Sequence, residues 1–156
     1  MARILALDIG DRRIGVAVCD ELGQLARPLA TITRASKRED FERVARLVSE
    51  LDVERVIAGY PRSLAGDAGP QARRVRRYAQ ALAATLTVPV ELWDERYTTV
   101  EAAQRLSDAG RRKPRRCNQR DRGQLDAAAA AVILQDYLDA RRARVRQDET
   151  NNTESE

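Results

Sequence analysis

The chain has 156 residues, of which 43% are hydrophobic and 33% are charged, and this length is typical of one globular domain with a substantial core. No apolar run approaches the roughly 18 residues that a membrane helix requires, and the start lacks the apolar core of a signal peptide, so we expect a cytoplasmic protein without membrane contact. Two cysteines, Cys19 and Cys117, lie far apart and outside any C-x-x-C spacing, which argues against a zinc knuckle or a disulfide framework.

The first third of the chain predicts three antiparallel strands. Apolar residues dominate segments 4–9, 14–20 and 25–33, and the connections between these segments are short. Such connections join antiparallel neighbours, because a parallel pair needs a crossover of roughly a dozen residues or more. We therefore expect an antiparallel meander.

Helices and strands alternate through the middle of the chain. Ser36 is a suitable N-cap for a helix with apolar residues at helical spacing as far as Leu51, and a buried strand follows at 55–59. Pro70 suits the first position of a second helix, which leads to a strand at 90–94. This alternation predicts parallel strands joined by helical crossovers.

Two further helices are predicted towards the end of the chain. Thr98 and Glu101 fit a capping box for a helix that ends at Gly110. A last helix runs from Gly123 to about Arg144, and its middle is apolar on every side, which predicts burial against the sheet.

Together these elements predict an α/β fold, with a five-stranded mixed sheet and helices on both of its faces. We assign residues 1–146 to a single domain. Residues 147–156 are polar, and from position 148 onward they include four acids and no base. We expect this segment to be a disordered acidic tail.

Three acids stand at junctions between elements in a chain that contains no histidine. Asp8 and Glu95 close apolar strands, and Asp126 opens the apolar part of the last helix. Sites in open α/β sheets form beyond the carboxyl ends of parallel strands, so we expect these carboxylates to meet. Their mutual repulsion is tolerable when divalent cations supply the missing charge, which predicts a site for Mg²⁺, with Mn²⁺ as an alternative.

Each acid also has a purely structural interpretation. Asp8 could form an Asx-type turn with Gly10, and Asp126 could be a first-turn acid that the helix dipole stabilises by about 0.3–1 kcal/mol. Glu95 could pair with a surface arginine. Its neighbour Asp94 is a second candidate at the same strand end, but successive strand residues point to opposite faces, and we rank Glu95 above Asp94.

Arginine supplies all but two of the 28 basic residues, and the net charge is +4. Segment 111–122 has seven bases and one acid. Because guanidinium groups grip phosphate in a bidentate manner, this segment is a candidate nucleic-acid contact, with the members Arg111, Arg112, Lys113, Arg115, Arg116, Arg120 and Arg122. For the helical clusters 73–77 and 141–146, the sequence leaves both phosphate contact and a solvated helix face open.

Four segments together resemble the YqgF/RuvX family. They are DIGDRRIG at 8–15, GYP at 59–61 with Leu64 and Gly66, DERYTTVEA at 94–102 and DAAAAAVILQDYL at 126–138. The match spans about residues 3 to 140, and members of this family are described as Holliday-junction resolvases or as nucleases that mature the 5′ end of pre-16S ribosomal RNA. The resemblance implies an RNase H-like fold, a cytoplasmic bacterial protein and hydrolysis at an acidic, magnesium-dependent site.

Carried over residue by residue, the family pattern implies that Asp8, Glu95 and Asp126 are the catalytic metal ligands. Our leading hypothesis adds Arg96 and the basic segment 111–122 as contacts to substrate phosphates. The family usually has leucine at position 60 and leucine or phenylalanine at position 97, where this chain has tyrosine. Both departures leave the acids intact.

The leading functional hypothesis is a metal-dependent nuclease that processes the 5′ end of pre-16S ribosomal RNA during ribosome biogenesis, with structured RNA and ribosomal precursor particles as partners. The alternative is a Holliday-junction resolvase acting on branched DNA. A resolvase must cut two symmetric strands and is expected to act as a homodimer, whereas trimming one RNA end needs only a monomer. A third hypothesis, of another class, is a non-catalytic nucleic-acid-binding assembly factor. An actin-like or sugar-kinase phosphate site is disfavoured, because this length leaves no second domain half.

Overall fold

The computed structural model describes residues 3–60, 69–94 and 119–153, and the strands in these ranges are β1 (Arg3–Ile9), β2 (Arg13–Cys19), β3 (Ala26–Thr33), β4 (Val53–Tyr60) and β5 (Val90–Asp94). They form a five-stranded sheet in the order β3-β2-β1-β4-β5. β2 is antiparallel to both β1 and β3, whereas β4 is parallel to both β1 and β5. The mixed sheet and the initial meander were predicted correctly.

A tight turn joins β1 to β2. The Gly10 amide donates a hydrogen bond to the Arg13 carbonyl oxygen at 2.9 Å. A Cβ atom at Gly10 would lie 2.8 Å from that oxygen, so the turn has no room for a larger residue. Asp8 of β1 is paired with Gly15 of β2 in the antiparallel ladder. The end of β1 and the start of β2 therefore lie side by side at the same end of the sheet.

Helices α1 (Lys37–Glu50) and α2 (Pro70–Thr85) cover one face of the sheet. The start of α1 agrees with the prediction, because the Ser36 hydroxyl accepts a hydrogen bond from the Glu39 amide at 3.2 Å. The start of α2 at Pro70 agrees as well. Both helices pack their apolar stripes against the odd-numbered residues of β1 and their neighbours on the same face.

A third helix, α3 (Gln119–Thr153), covers the opposite face. Its residues Ala130 and Leu134 are fully buried in a cluster with the even-numbered residues of β1. In the same cluster, the rings of Tyr137 and Trp93 meet edge to face with their centroids 5.3 Å apart. These contacts confirm that helices lie on both faces and that the last helix is buried against the sheet.

The end of α3 was predicted wrongly. We expected the helix to stop near Arg144 and residues 147–156 to be disordered, but the helix continues to Thr153; residues 154–156 lie outside the described ranges. No glycine or proline interrupts this stretch, so the helix gains about one backbone hydrogen bond per added residue without tertiary contacts. All residues from 141 to 153 are exposed, and the last turns of α3 therefore stand in solvent.

The helix predicted between Thr98 and Gly110 lies outside the described residues. Among the helices that the structure describes, none combines the length and the apolarity that crossing a bilayer would require. The assignment of residues 1–146 to a single domain stays a prediction.

Candidate active site

Asp8 lies near the carboxyl end of β1, on the face of the sheet that α3 covers. Ile4 and Ala6 belong to the cluster packed against α3, whereas Leu5 and Leu7 belong to the cluster under α1 and α2. Alternation along the strand assigns Asp8 to the first set. The side chain is partly buried, and it lies at the carboxyl end of the central strand, on the side of α3.

Gly15 lets α3 approach the sheet beside Asp8. It pairs with Asp8 in the ladder, and a Cβ atom at Gly15 would lie 1.9 Å from the Asp126 carbonyl oxygen and 3.0 Å from the Ala127 amide nitrogen. A glycine inside a strand often marks such a close backbone approach. Because Gly15 has no side chain, the start of the apolar part of α3 can pack against β2, and Asp126 lies next to Asp8. We expected these two acids to meet.

The negative charges of Asp8 and Asp126 act on each other. Burial raises the pKa of the Asp8 carboxyl above its ordinary value, and the charge of Asp126 raises that pKa further. Both effects disfavour the ionised form of Asp8. A cation bound between the two carboxylates would oppose both effects, since it would replace lost hydration and offset the repulsion.

Arg13 supplies a positive charge at Asp126. Its Nε donates to Asp126 Oδ2 at 2.7 Å, with 29% of the arginine side chain and 32% of the aspartate side chain exposed. Arg13 precedes Gly15 by two residues on β2, so it shares the face that α3 covers. The ion pair orients the carboxylate of Asp126. We did not single out Arg13 or Gly15 for these roles from the sequence, and the available signal was a glycine inside a strand.

The donor set that the structure describes fits a hard divalent cation. Asp8 and Asp126 offer carboxylate oxygens, the ligands that Mg²⁺ and Mn²⁺ prefer. Within residues 3–60, 69–94 and 119–153, no group of three or more His, Cys, Asp or Glu side chains is arranged to hold a metal ion. The third predicted ligand, Glu95, lies outside those ranges, so the complete ligand set stays a prediction.

Asp94 belongs to the other face of the sheet. Trp93 packs in the cluster against α3, whereas Leu92 packs against the cluster under α1 and α2. Alternation along β5 groups Asp94 with Leu92. It therefore assigns Asp94 to the face opposite Asp8.

The side chains of the predicted phosphate contacts lie outside the part of the chain that the structure describes. Arg120 and Arg122 fall in the first turns of α3, but their side chains are not among those described. The remaining candidates lie outside the described ranges, namely Arg96, Arg111, Arg112, Lys113, Arg115 and Arg116. Their roles stay predictions.

The sequence model of the RuvX family, described as "Holliday junction resolvase", matches residues 2–140. The chain belongs to the RuvX family. Proteins named "Putative pre-16S rRNA nuclease" from Chloroflexus aggregans and Syntrophus aciditrophicus are 48% and 49% identical to it. These alignments cover 89% and 88% of this chain, and 94% and 89% of the two relatives.

Two solved structures share the fold of this RuvX-family chain. The Thermus thermophilus RuvC structure has a TM-score of 0.51 at 16% identity, over 90% of this chain and 96% of that chain. The structure of T. thermophilus RuvC in complex with Holliday junction substrate has a TM-score of 0.50 at 16% identity, over 85% of this chain and 92% of that chain. The RNase H-like fold is thereby confirmed.

The raised pKa of Asp8 gives the metal-free RuvX-family protein a defined pH dependence. A carboxyl group whose pKa is raised on folding contributes stability that is present below its ordinary value of 3.8 and is lost as the pH rises through the folded-state pKa. The variant Asp8→Asn has no carboxyl group to ionise at this position, so it does not lose this stability as the pH rises. In EDTA at pH 7, the variant should therefore unfold at a higher temperature than the wild type, by about 2–4 °C for each kcal/mol recovered.

Thermal unfolding of both proteins at a series of pH values in EDTA measures this effect. The gap between their midpoints should narrow as the pH falls and close below the ordinary carboxyl value. An Asp8→Asn midpoint at or below that of the wild type at pH 7 would contradict the expectation.

Proposed function

We propose that this RuvX-family protein is a metal-dependent nuclease, a hydrolase of phosphodiester bonds, that processes the 5′ end of pre-16S ribosomal RNA during ribosome biogenesis. The observation that carries the proposal is the meeting of Asp8 and Asp126 at Gly15, where burial and repulsion favour a bound cation. Family membership supports the nuclease activity, and the names of the similar proteins support the ribosomal RNA substrate.

In this proposal, Asp8, Glu95 and Asp126 hold Mg²⁺, with Mn²⁺ as an alternative. Glu95 is preferred to Asp94 for a reason of strand geometry. Side chains two residues apart on a strand point to the same face, and Trp93 packs on the face of Asp8, so a continued strand would place Glu95 rather than Asp94 on that face. When bound, such a cation polarises the phosphodiester and lowers the pKa of a water nucleophile. Arg13 orients the Asp126 carboxylate and adds a positive charge at the place where a substrate phosphate would approach.

A cleavage assay in MgCl₂ tests the proposed activity and its substrate. Cleavage at the 5′ end of precursor 16S ribosomal RNA, with a synthetic four-way DNA junction left intact, is the expected result. Paired symmetric cuts in the junction would favour the Holliday-junction resolvase, which the family description supports. Failure to cut either substrate in Mg²⁺ or Mn²⁺ would favour a non-catalytic assembly factor.

The proposed substrate also fixes where and how the protein acts. Processing of precursor ribosomal RNA takes place on ribosomal precursor particles in the bacterial cytoplasm, and trimming one RNA end needs one active site. A monomer is therefore expected, whereas a resolvase would be a homodimer. Light scattering on the purified protein distinguishes the two states.

We further propose that Arg96 and the bases of segment 111–122 contact substrate phosphates. Replacing Arg115 and Arg116 with alanine should weaken RNA binding and flatten its salt dependence, because each lost phosphate contact reduces the slope of log K against log salt by about 0.7–0.9. Fluorescence anisotropy with labelled RNA at several salt concentrations measures both quantities. The double variant Arg46→Ala/Arg76→Ala, which removes two exposed arginines from α1 and α2, is the control. An unchanged slope would reject the role of the basic segment.

A further inference from the structure

A basic cavity lies on the face of the sheet opposite Asp8. It has a volume of about 240 Å³ and is lined by the β1–β2 turn, the start of α1 and the first turns of α2. One acid, Asp11, lines it, together with the bases Arg34, Lys37, Arg74 and Arg77. Cations from two parts of the chain, residues 34–37 and 74–77, therefore converge on one concave surface.

Arg34 is held in place from three directions. Its guanidinium carbon stands 4.6 Å from the centre of the Tyr78 ring, its Nη1 donates to the Gly10 carbonyl oxygen at 2.9 Å, and its Nε lies 3.7 Å from Asp40 Oδ2. Asp40 is 1% exposed and accepts hydrogen bonds from the Tyr78 hydroxyl at 3.0 Å and the Ala35 amide at 3.1 Å. Burial, followed by the charge of Asp40, raises the pKa of Tyr78, so the hydroxyl stays a donor. A guanidinium fixed in this way is preorganised to bind an anion.

The other cations of the cavity are poorly compensated. In the described part of the chain, Lys37 and Arg77 form no ion pair. Arg74 lies 3.5 Å from Asp11, but the two side chains are 67% and 80% exposed, and exposed pairs of this kind contribute only about 0–1 kcal/mol. The cavity thus carries excess positive charge.

The start of α2 adds hydrogen-bond donors to the same cavity. Gly69 caps the helix without a side chain, Pro70 has no N–H group, and the first turn contains no acid. The backbone N–H of Gln71 therefore has no partner within the helix, and Gln71 lines the cavity. The positive end of the helix dipole favours an anion at this place. By contrast, the first turn of α1 contains two acids, Glu39 and Asp40, whose negative charges offset the dipole of that helix.

The size and the lining of the cavity favour a phosphate group over a larger ligand. Ligand pockets usually measure about 300–1,000 Å³, which is more than the volume of this cavity. The aromatic side chain in its lining, Tyr78, is 3% exposed and offers no open ring face on which a base could stack. Guanidinium, ammonium and amide donors match the oxygens of a phosphate.

We propose that this cavity binds one backbone phosphate of a nucleic-acid strand. The inference rests on the proposed function, since it takes nucleic acid to be the substrate. Gly10 and Asp11 line the cavity and follow Asp8 in the same turn, so a strand that crosses the β1–β2 turn can place one phosphate in the cavity and another near Asp8 and Asp126. The cavity thereby fixes the path of the substrate relative to the bond that is cut.

Binding measured in EDTA tests this site separately from cleavage. The variant Lys37→Ala/Arg77→Ala removes two cavity cations, and the control Arg46→Ala/Arg76→Ala removes two exposed cations from the same two helices. Each variant is titrated with labelled single-stranded and duplex RNA at several salt concentrations. We expect the cavity variant to bind about tenfold more weakly, with a salt slope reduced by about 1–2. The control should change both quantities by less than half as much.

Equal effects of the two double variants on affinity and slope would overturn the proposal. A titration with inorganic phosphate or a nucleoside monophosphate, followed by NMR through the amide shifts of Gly10 and Gln71, shows whether the cavity binds a small phosphate compound. If these ligands bind but the cavity variant keeps wild-type RNA binding, the assignment to nucleic acid is wrong. All binding is measured without metal and does not depend on cleavage. If the wild type cleaves neither RNA nor DNA but the cavity variant shows the expected loss of binding, only the proposed hydrolysis is refuted.

Discussion

Replacing Asp8 with asparagine should abolish metal-dependent cleavage while nucleic-acid binding is retained. The amide keeps the shape of the side chain but loses the negative charge that would attract a cation to the buried end of β1. Metal polarisation is worth several kcal/mol, and each 1.36 kcal/mol corresponds to about a tenfold change in rate. We therefore expect a loss on the order of a thousandfold or more in the single-turnover rate in MgCl₂, with unchanged RNA affinity in EDTA.

Asp148→Asn is the matched control for this experiment. It makes the same change of charge on the exposed end of α3 and should cleave at the wild-type rate. Wild-type cleavage by Asp8→Asn would remove Asp8 from the catalytic site. Loss of both cleavage and binding, together with a lower unfolding midpoint, would mean that Asp8 acts through the fold.

A single methyl group at Gly15 should push α3 away from the sheet. The added Cβ would lie 1.9 Å from the carbonyl oxygen and 2.3 Å from the carbonyl carbon of Asp126, and these backbone atoms cannot rotate aside as a side chain can. Overpacking a core typically costs about 1–3 kcal/mol, and we expect Gly15→Ala to reach at least the upper end of that range. Urea unfolding measures the cost. Cleavage should fall as well, since Asp126 moves with the helix.

Gly69→Ala is the control for Gly15→Ala. No atom lies within 4 Å of a Cβ added at Gly69, and the φ angle of −66° is accessible to alanine. Its cost should be less than about 1 kcal/mol, the difference expected at a helix N-cap. If both variants lose equally little stability and keep full cleavage, α3 does not rest on Gly15 in the folded protein.

Local sequence signals predicted most of the fold. Ser36 and Pro70 mark the starts of α1 and α2, and the strand predicted at 90–94 is β5. These features depend on residues that are close in the chain. The end of α3 was predicted wrongly, because segment 147–156 was judged by its own composition. In the structure, the buried half of the helix supplies the nucleus and later residues only extend it.

The candidate site could be predicted only in part. Asp8 and Asp126 were identified from the sequence as two of three acids expected to meet, but Arg13 acquires its role through an ion pair with a residue 113 positions away. The cluster at 73–77 was left open, because only the fold places Arg74 beside Arg34 in one cavity. Tertiary contacts of this kind leave no periodic signal in the sequence. Glu95 and the basic segment stay predictions.

The contact between Gly15 and α3 also governs when the site can exist during protein synthesis. The ribosome makes Asp8 early and Asp126 late, because translation starts at the N-terminus. The two carboxylates cannot meet until the last helix has left the exit tunnel and docked on β2. In the proposed nuclease, an unfinished chain therefore lacks one of the two carboxylates that would hold the metal ion, and it should not cleave the messenger and ribosomal RNAs that surround it during synthesis.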